Sequence, residues 1–233
     1  MSHPKPVSTG DFHPVAVNNF AKTWTVDLGI PKGNQATNVY IFDNVIIVYA
    51  DDNTAHVVSR QSGQLLFINT LPERSGTMHA PSIVGDLIIY PATSRIKAYS
   101  VKTGLLVKQF DVRYALRSAP AGSGNNLYIS ADHENGGRLE ALDLSRNDAL
   151  PRWEIMTIAT MRGAPVLYKG YIFFASQDGK VRAVNEEKHS VWSLDDYYDG
   201  AFATAGSIVA DIAVDQSGVY FASTDTKLYS LKL

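Results

Sequence analysis

Between Gly163 and Trp192 apolar and polar positions follow a fixed order. Val166-Leu167-Tyr168 ends at the turn Lys169-Gly170, and an apolar run, Tyr171-Ile172-Phe173-Phe174-Ala175-Ser176, follows. Gln177-Asp178-Gly179 then turns the chain into Lys180-Val181-Arg182-Ala183-Val184-Asn185, which alternates with period 2. Glu186 to His189 lead to the closing Ser190-Val191-Trp192. Asp-Gly between two β-rich runs is a strong hairpin signal, and alternation with period 2 gives a strand with one buried and one wet face. The stretch predicts four short strands joined by three turns. A unit of this kind, about 40 residues long, is a propeller blade.

The unit recurs along the chain. The small residue ending each apolar strand falls at Ala50, Ala92, Ala131, Ala175 and Ala222. Ala-Pro opens three copies, at Ala80-Pro81, Ala119-Pro120 and Ala164-Pro165. The third strands read Ala55-His56-Val57-Val58, Ile96-Lys97-Ala98-Tyr99, Leu139-Glu140-Ala141-Leu142, Val181-Arg182-Ala183-Val184 and Leu228-Tyr229-Ser230-Leu231. The fourth strands carry Trp24, Phe67, Trp153 and Trp192, whereas Val107-Lys108-Gln109-Phe110 departs from that pattern. Repetition at blade spacing assigns these aromatic residues to the gaps between neighbouring sheets.

The pattern resembles the quinoprotein-like (PQQ-repeat) β-propeller family. The resemblance rests on Ala164-Pro165 with Gly170 to Trp192, on Ala80-Pro81 with Ala98-Tyr99-Ser100 and Thr103-Gly104, and on Ala141-Leu142-Asp143 with Trp153, and it covers about Trp24 to Leu233. It implies an all-β propeller of four-stranded blades. The family holds both quinone-dependent dehydrogenases and non-enzymatic outer-membrane assembly lipoproteins. The motif residues are packing and turn residues, so they specify the blade and not an activity.

Residues 1–20 carry Pro4, Pro6 and Pro14 with little periodicity and are expected to be a tail or linker; residues 21–233 are expected to be the propeller. Lys22 to Leu28 reads as a fourth strand with no first three before it, and Ile208 to Leu231 supplies three strands with no fourth. The two deficits match. About five blades closed by pairing Lys22–Leu28 with Lys227–Leu231 is therefore the expected architecture, since closure removes open sheet edges. A piece of a larger seven- or eight-bladed array shows the same count.

With 233 residues and 45% hydrophobic content the chain can bury a full core. A net charge of −2 gives no global basic field for nucleic acid, and no apolar run is long enough to span a bilayer. The first residues lack the apolar core of a signal peptide, so a periplasmic or extracellular location follows from the resemblance alone. The absence of cysteine excludes disulfides and thiolate metal sites.

Family dehydrogenases need a calcium ion held by carboxylate and amide oxygens beside the quinone, with a base carboxylate nearby, and a ring of adjacent cysteines. The chain lacks cysteine, and no such set stands at the axial end of a first strand. No nucleophile elbow, His-Glu-Xaa-Xaa-His motif or phosphate-binding Gly-Lys-Ser loop is present. No cofactor and no metal site are expected. Asp51-Asp52-Asn53 and Asp132 to Gly137 sit where hairpin turns belong.

The candidate binding residues are of two kinds. Met78, Arg117 and Arg162, with Asn34 in the first blade, precede the innermost strands; His79, Ser118, Gly163 and Gln35 follow them. In a propeller this lead-in lines the mouth of the central funnel. Arg117 and Arg162 in adjacent blades would present two guanidinium groups to one anionic group, or would bind backbone carbonyls of neighbouring blades. The second candidate is Asp195-Asp196-Tyr197-Tyr198-Asp199-Gly200, read as a long loop between a fourth and a first strand, with Tyr197 and Tyr198 as contact residues. The reading is a non-catalytic scaffold binding a protein or peptide on the funnel face. The alternatives are small-ligand or sugar binding, or an enzyme using the funnel.

Overall fold

The computed structural model describes residues 21–72, 77–134, 136–146, 148–192 and 200–233. No helix occurs among them. Blade 1 is β1 (Ala36–Ile41), β2 (Val45–Ala50), β3 (Thr54–Ser59) and β4 (Leu65–Thr70). Blade 2 is β5 (Ser82–Val84), β6 (Leu87–Pro91), β7 (Arg95–Ser100) and β8 (Leu106–Asp111). Blade 3 is β9 (Ala121–Ser123), β10 (Asn126–His133), β11 (Gly136–Asp143) and β12 (Pro151–Thr157). Blade 4 is β13 (Val166–Tyr168), β14 (Tyr171–Ala175), β15 (Lys180–Asn185) and β16 (Ala201–Ala203). Blade 5 is β17 (Ala213–Val214), β18 (Val219–Ala222) and β19 (Leu228–Leu231). Each sheet runs in chain order and every pairing is antiparallel.

Period-2 alternation makes each blade two-faced, and each face meets a neighbour. Ile47 and Val57 of blade 1 pack on Ile88, Tyr90 and Tyr99 of blade 2. Ile89 and Ile96, on the opposite face of blade 2, pack on Leu127 and Ile129 of blade 3. Tyr128 and Leu139 then meet Ile172 and Phe174 of blade 4, and Phe173 and Val181 meet Val219 and Phe221 of blade 5. Burying each such side chain stabilises by about 1.5–3 kcal/mol. The core is thus four interfaces between successive sheets. Buried tyrosines keep their hydroxyls satisfied across the first of them: Tyr90 donates to Asn69 Oδ1 at 3.1 Å and Tyr99 to the Thr70 carbonyl at 2.8 Å, both in blade 1.

Hydrogen-bond register revises one alignment. Phe173 pairs with Ala183 as Tyr128 pairs with Ala141, so Ser176, not Ala175, is equivalent to Ala131. Tyr220 pairs with Ser230 in the same way, so Ser223 takes that place in blade 5.

A shared irregularity explains the outer aromatic residues. The third and fourth strands shift register between Val57 and Val58, between Ala98 and Tyr99, and between Ala141 and Leu142. Each shift is a bulge, and the residue after it crosses to the next blade. Phe67 lies on Gly104, in the turn leading to β8. Lys108 donates to the Leu144 and Arg146 carbonyls of blade 3, and Trp153 Nε1 donates to the Glu186 carbonyl of blade 4 at 2.8 Å. Lys108 therefore fills the aromatic position in the blade that departs from the sequence pattern. Trp24 lies on Gly63 of blade 1, as Phe67 lies on Gly104.

The expected pairing of Lys22–Leu28 with Lys227–Leu231 is not formed. Residues 21–30 carry no strand, and the last sheet ends at β19. Trp24 nonetheless takes on Gly63 of blade 1 the place that Phe67 takes on Gly104 of blade 2.

Candidate functional site at the funnel mouth

The lead-ins to the innermost strands are set by short backbone ladders. Thr93, Asp132, Gln177 and Thr224 donate their N–H groups to the carbonyls of Thr77, Ala115, Thr160 and Ser207. The next residues, Met78 and Leu116, bridge Ala92 and Ala131, and their equivalents Met161 and Ile208 are 0% and 2% exposed. The residue after that is His79 in blade 2, Arg117 in blade 3, Arg162 in blade 4 and Val209 in blade 5. His79, not Met78, thus shares a column with the two arginines. Blade 2 has one residue fewer before its Ala-Pro step, which sequence alignment on that step conceals. Asn34 falls outside the column: it is exposed, with its N–H bonded to the Pro31 carbonyl, ahead of β1.

The three basic residues differ in commitment. His79 Nε2 lies 3.1 Å from the Leu116 carbonyl, which can only accept, so this nitrogen carries the proton. Burial lowers the pKa of His79, the Leu116 bond opposes the shift, and the charge of Arg117 adds to it. The ring is therefore neutral at neutral pH and ties blade 2 to blade 3. Arg117 Nε donates to Asp132 Oδ2 at 2.6 Å, with the arginine side chain 44% exposed. Its partner is thus a carboxylate of its own blade and not a backbone carbonyl of a neighbour. Arg162 is exposed and makes no ion pair among the described residues. Beside it Gly163 packs against the Ala210 carbonyl, 2.8 Å from where a Cβ would stand, and the Ala164 N–H is held by Asp211 Oδ1 at 2.8 Å.

Asp132, which the sequence assigns to turn chemistry, is the residue that reasoning on motifs misses. Its position is equivalent to Asp51, Thr93, Gln177 and Thr224, a column that is polar in all five blades. That recurrence is the available signal. Asp51 ties its turn to the lead-in of β1, its Oδ1 accepting the Gln35 N–H at 2.9 Å.

Two other clusters of charge lie in the blades. Arg138 is buried, donates to Glu154 Oε2 at 2.5 Å, lies 3.5 Å from Glu140 Oε1, and stands 4.3 Å from the centre of the Tyr114 ring. Burial raises the pKa of Glu140, against the opposing pull of Arg138. In blade 4 Arg182 pairs with Asp178 at 2.8 Å. Burial pushes the Asp178 pKa up, but hydrogen bonds from Arg182, Ser176 and the Lys180 N–H outweigh it and hold it down. Both clusters are ion pairs within single blades, and Arg138 Nε is buried with no hydrogen-bond partner. No group of three or more potential ligands that could hold a metal occurs among the described residues.

Tyr197 and Tyr198 lie outside the described residues. Their flanks are informative. Ser190 bridges Val184, and β16 pairs Ala201 with Arg182, as Glu154 pairs with Glu140. The outer edge of β15 is thus met on both sides of the undescribed residues, by Ser190 before them and by β16 after them. A groove of about 330 Å³ borders this point, lined by Met156 and Ile158 of blade 3 and by Asp178, Arg182, Lys188 and Gly200 of blade 4.

A family model described as outer membrane protein assembly factor BamB matches residues 92–233. No curated protein matches the chain by sequence. Among solved structures, the computationally designed Ika8 protein superposes with a TM-score of 0.61 at 14% identity, over 85% of this chain and 58% of that one. BamB from Moraxella catarrhalis gives 0.55 at 17% identity, over 79% of this chain and 56% of that one. The computationally designed Ika4 protein gives 0.56 at 12% identity, over 73% of this chain and 99% of that one. At these identities the structural likeness shows the fold alone. The chain spans 58% and 56% of the lengths of the first two.

Proposed function

The chain belongs to the family described as outer membrane protein assembly factor BamB, and from that premise we propose that it is a non-catalytic scaffold of the bacterial envelope. It binds a protein or peptide on the funnel mouth, through an acidic segment of the partner. The observation that carries this reading is the column His79, Arg117 and Arg162, in which only Arg162 is exposed without an ion pair among the described residues. A neutral histidine and a paired arginine set the shape of the mouth, and an exposed guanidinium offers a bidentate grip on a carboxylate. The titratable clusters found elsewhere are held in ion pairs within the blades, which favours a scaffold over acid–base chemistry.

Fluorescence anisotropy with labelled acidic and basic peptides tests the proposal. Acidic peptides bind with an affinity that falls as salt rises, because exposed charges are screened. Arg162→Glu weakens that binding at least tenfold while leaving the melting temperature unchanged, and Arg117→Ala weakens it less. Equal affinity for basic peptides, or binding indifferent to Arg162→Glu, refutes the site.

A further inference from the structure

Resting on the reading of Arg162 as the anchor of an acidic segment, we propose that Asp132 and Asp211 make the funnel mouth select a singly charged carboxylate and reject a dianionic phosphoryl group. Arg162 is exposed between two blades that each bring a carboxylate to its lead-in. From blade 5, Asp211 Oδ1 accepts the Ala164 N–H at 2.8 Å, and the Asp211 Cα lies 3.3 Å from the Cβ position of Gly163. From blade 3, β10 carries Ser130 and Asp132 on one face, since residues two apart on a strand point the same way. Ser130 Oγ donates to the Gly163 carbonyl at 3.3 Å, which fixes that face as the one toward the blade 4 lead-in. Arg162 forms an ion pair with neither carboxylate.

The two oxygens of Asp132 differ. Arg117 brings both Nε and Nη2 to Oδ2, whereas Oδ1 is buried and has no hydrogen-bond partner. Arg117, which shares the Arg162 column in the adjacent blade, is thereby held by its own blade and kept from a second negative charge. The charges of the four side chains cancel, Arg117 and Arg162 against Asp132 and Asp211, and His79 is neutral. A carboxylate still gains from this mouth, because its planar pair of oxygens matches the fork of the Arg162 guanidinium. A phosphoryl group carries about −1.5 to −2 charges at pH 7. Its extra charge meets no net attraction and still has to leave water. Its third oxygen needs a second donor, and the next guanidinium in the column is already held by Asp132.

Fluorescence anisotropy with labelled peptides that carry one acidic residue, glutamate in one and phosphoserine in the other, reads the selection. Wild type binds the glutamate peptide more tightly. Asp132→Asn keeps an acceptor for Arg117 but removes the charge, and it raises affinity for the phosphoserine peptide about tenfold, the scale of one unit charge a few ångströms away at a protein surface. Affinity for the glutamate peptide rises less, so the ratio moves toward phosphoserine. Asp211→Asn moves it the same way, while the amide oxygen keeps the Ala164 N–H. Arg117→Ala in the Asp132→Asn background removes the gain, an outcome that a purely structural Asp132 does not produce. Asp132→Thr, which copies Thr93 and Thr224 at the same position of blades 2 and 5, gives the same shift should Asp132→Asn lower the melting temperature. A wild-type preference for the phosphoserine peptide, or a ratio unmoved by Asp132→Asn and Asp132→Thr, overturns the selection and leaves Arg162 as the anchor. Failure of Arg162→Glu to weaken binding of the glutamate peptide refutes the anchor, and the selection falls with it.

Discussion

Gly104 is the position where the blade-to-blade contact is most open to measurement. It sits at φ +69°, in the turn between β7 and β8, and a Cβ added there would run into the Phe67 ring of blade 1. Two penalties combine in Gly104→Ala. An L-residue in the left-handed region costs about 1–2 kcal/mol. Displacing Phe67 from its slot costs about 1–3 kcal/mol, as overpacking does elsewhere. The two together come to about 2–5 kcal/mol. Gly170 supplies the control: its φ is +79°, and nothing lies within 4 Å of its Cβ position. Gly170→Ala carries only the backbone penalty. Urea unfolding of both variants, read by far-UV circular dichroism at a common slope, gives the difference directly. Gly104→Ala is expected to lose about 1–3 kcal/mol more than Gly170→Ala, and Phe67→Leu in the Gly104→Ala background should return part of that excess. Equal losses at the two glycines would show that Phe67 does not press on the turn, and the latch between blades 1 and 2 would be wrong.

Two further predictions concern pH. Asp178, whose side chain is 2% exposed, has a folded pKa below its ordinary 3.8, so its stabilising effect is full above that value and is lost as pH falls through the folded pKa. Asp178→Asn should lower stability by about 2 kcal/mol at neutral pH, with the gap to wild type closing in acid; a gap independent of pH would contradict the charged pairing with Arg182. Glu140 has the opposite sign: its folded pKa lies above the ordinary 4.5, so the folded state holds the proton longer and stability falls as pH rises from 4.5 through the folded pKa. Glu140→Gln should flatten that fall in pH-dependent thermal melts, and an unchanged slope would remove burial as the controlling term.

The blades are legible in the sequence because period-2 alternation and turn residues are local signals, and the resemblance to a PQQ-repeat propeller rests on them. Register is not legible in the same way. Pro81 and Pro120 are equivalent, but one residue fewer precedes Pro81, so alignment on the prolines sets His79 one column away from Arg117. Backbone bridges, which depend on partners far along the chain, decide such offsets. The outer strand of blade 4 is hard to bound from sequence for a related reason. Trp192 looks like the end of a strand, and only the pairing of Ala201 with Arg182 shows that the strand resumes. Asp132 is hidden by composition: in a turn rich in Asp, Glu and Asn, one carboxylate that bonds an arginine resembles its neighbours.

The outer latch shows which requirement is geometric and which is chemical. A bulge at one place in each of the first three blades turns the following residue toward the next blade. What that residue does there varies: Phe67 lays a ring on a glycine, Trp153 donates an indole N–H to a carbonyl, and Lys108 sends an ammonium to two carbonyls. The turn it meets presents carbonyls in two blades and a glycine in another, so apolar contact and charge-assisted hydrogen bonding both suit it. A search for tryptophan therefore overlooks blade 2, although the position is filled. Trp24 extends the argument. It occupies the same slot on Gly63 with no bulge and no strand around it, so the latch does not depend on hydrogen bonds within a sheet. A latch independent of the ladder can hold a segment against a blade without any strand pairing.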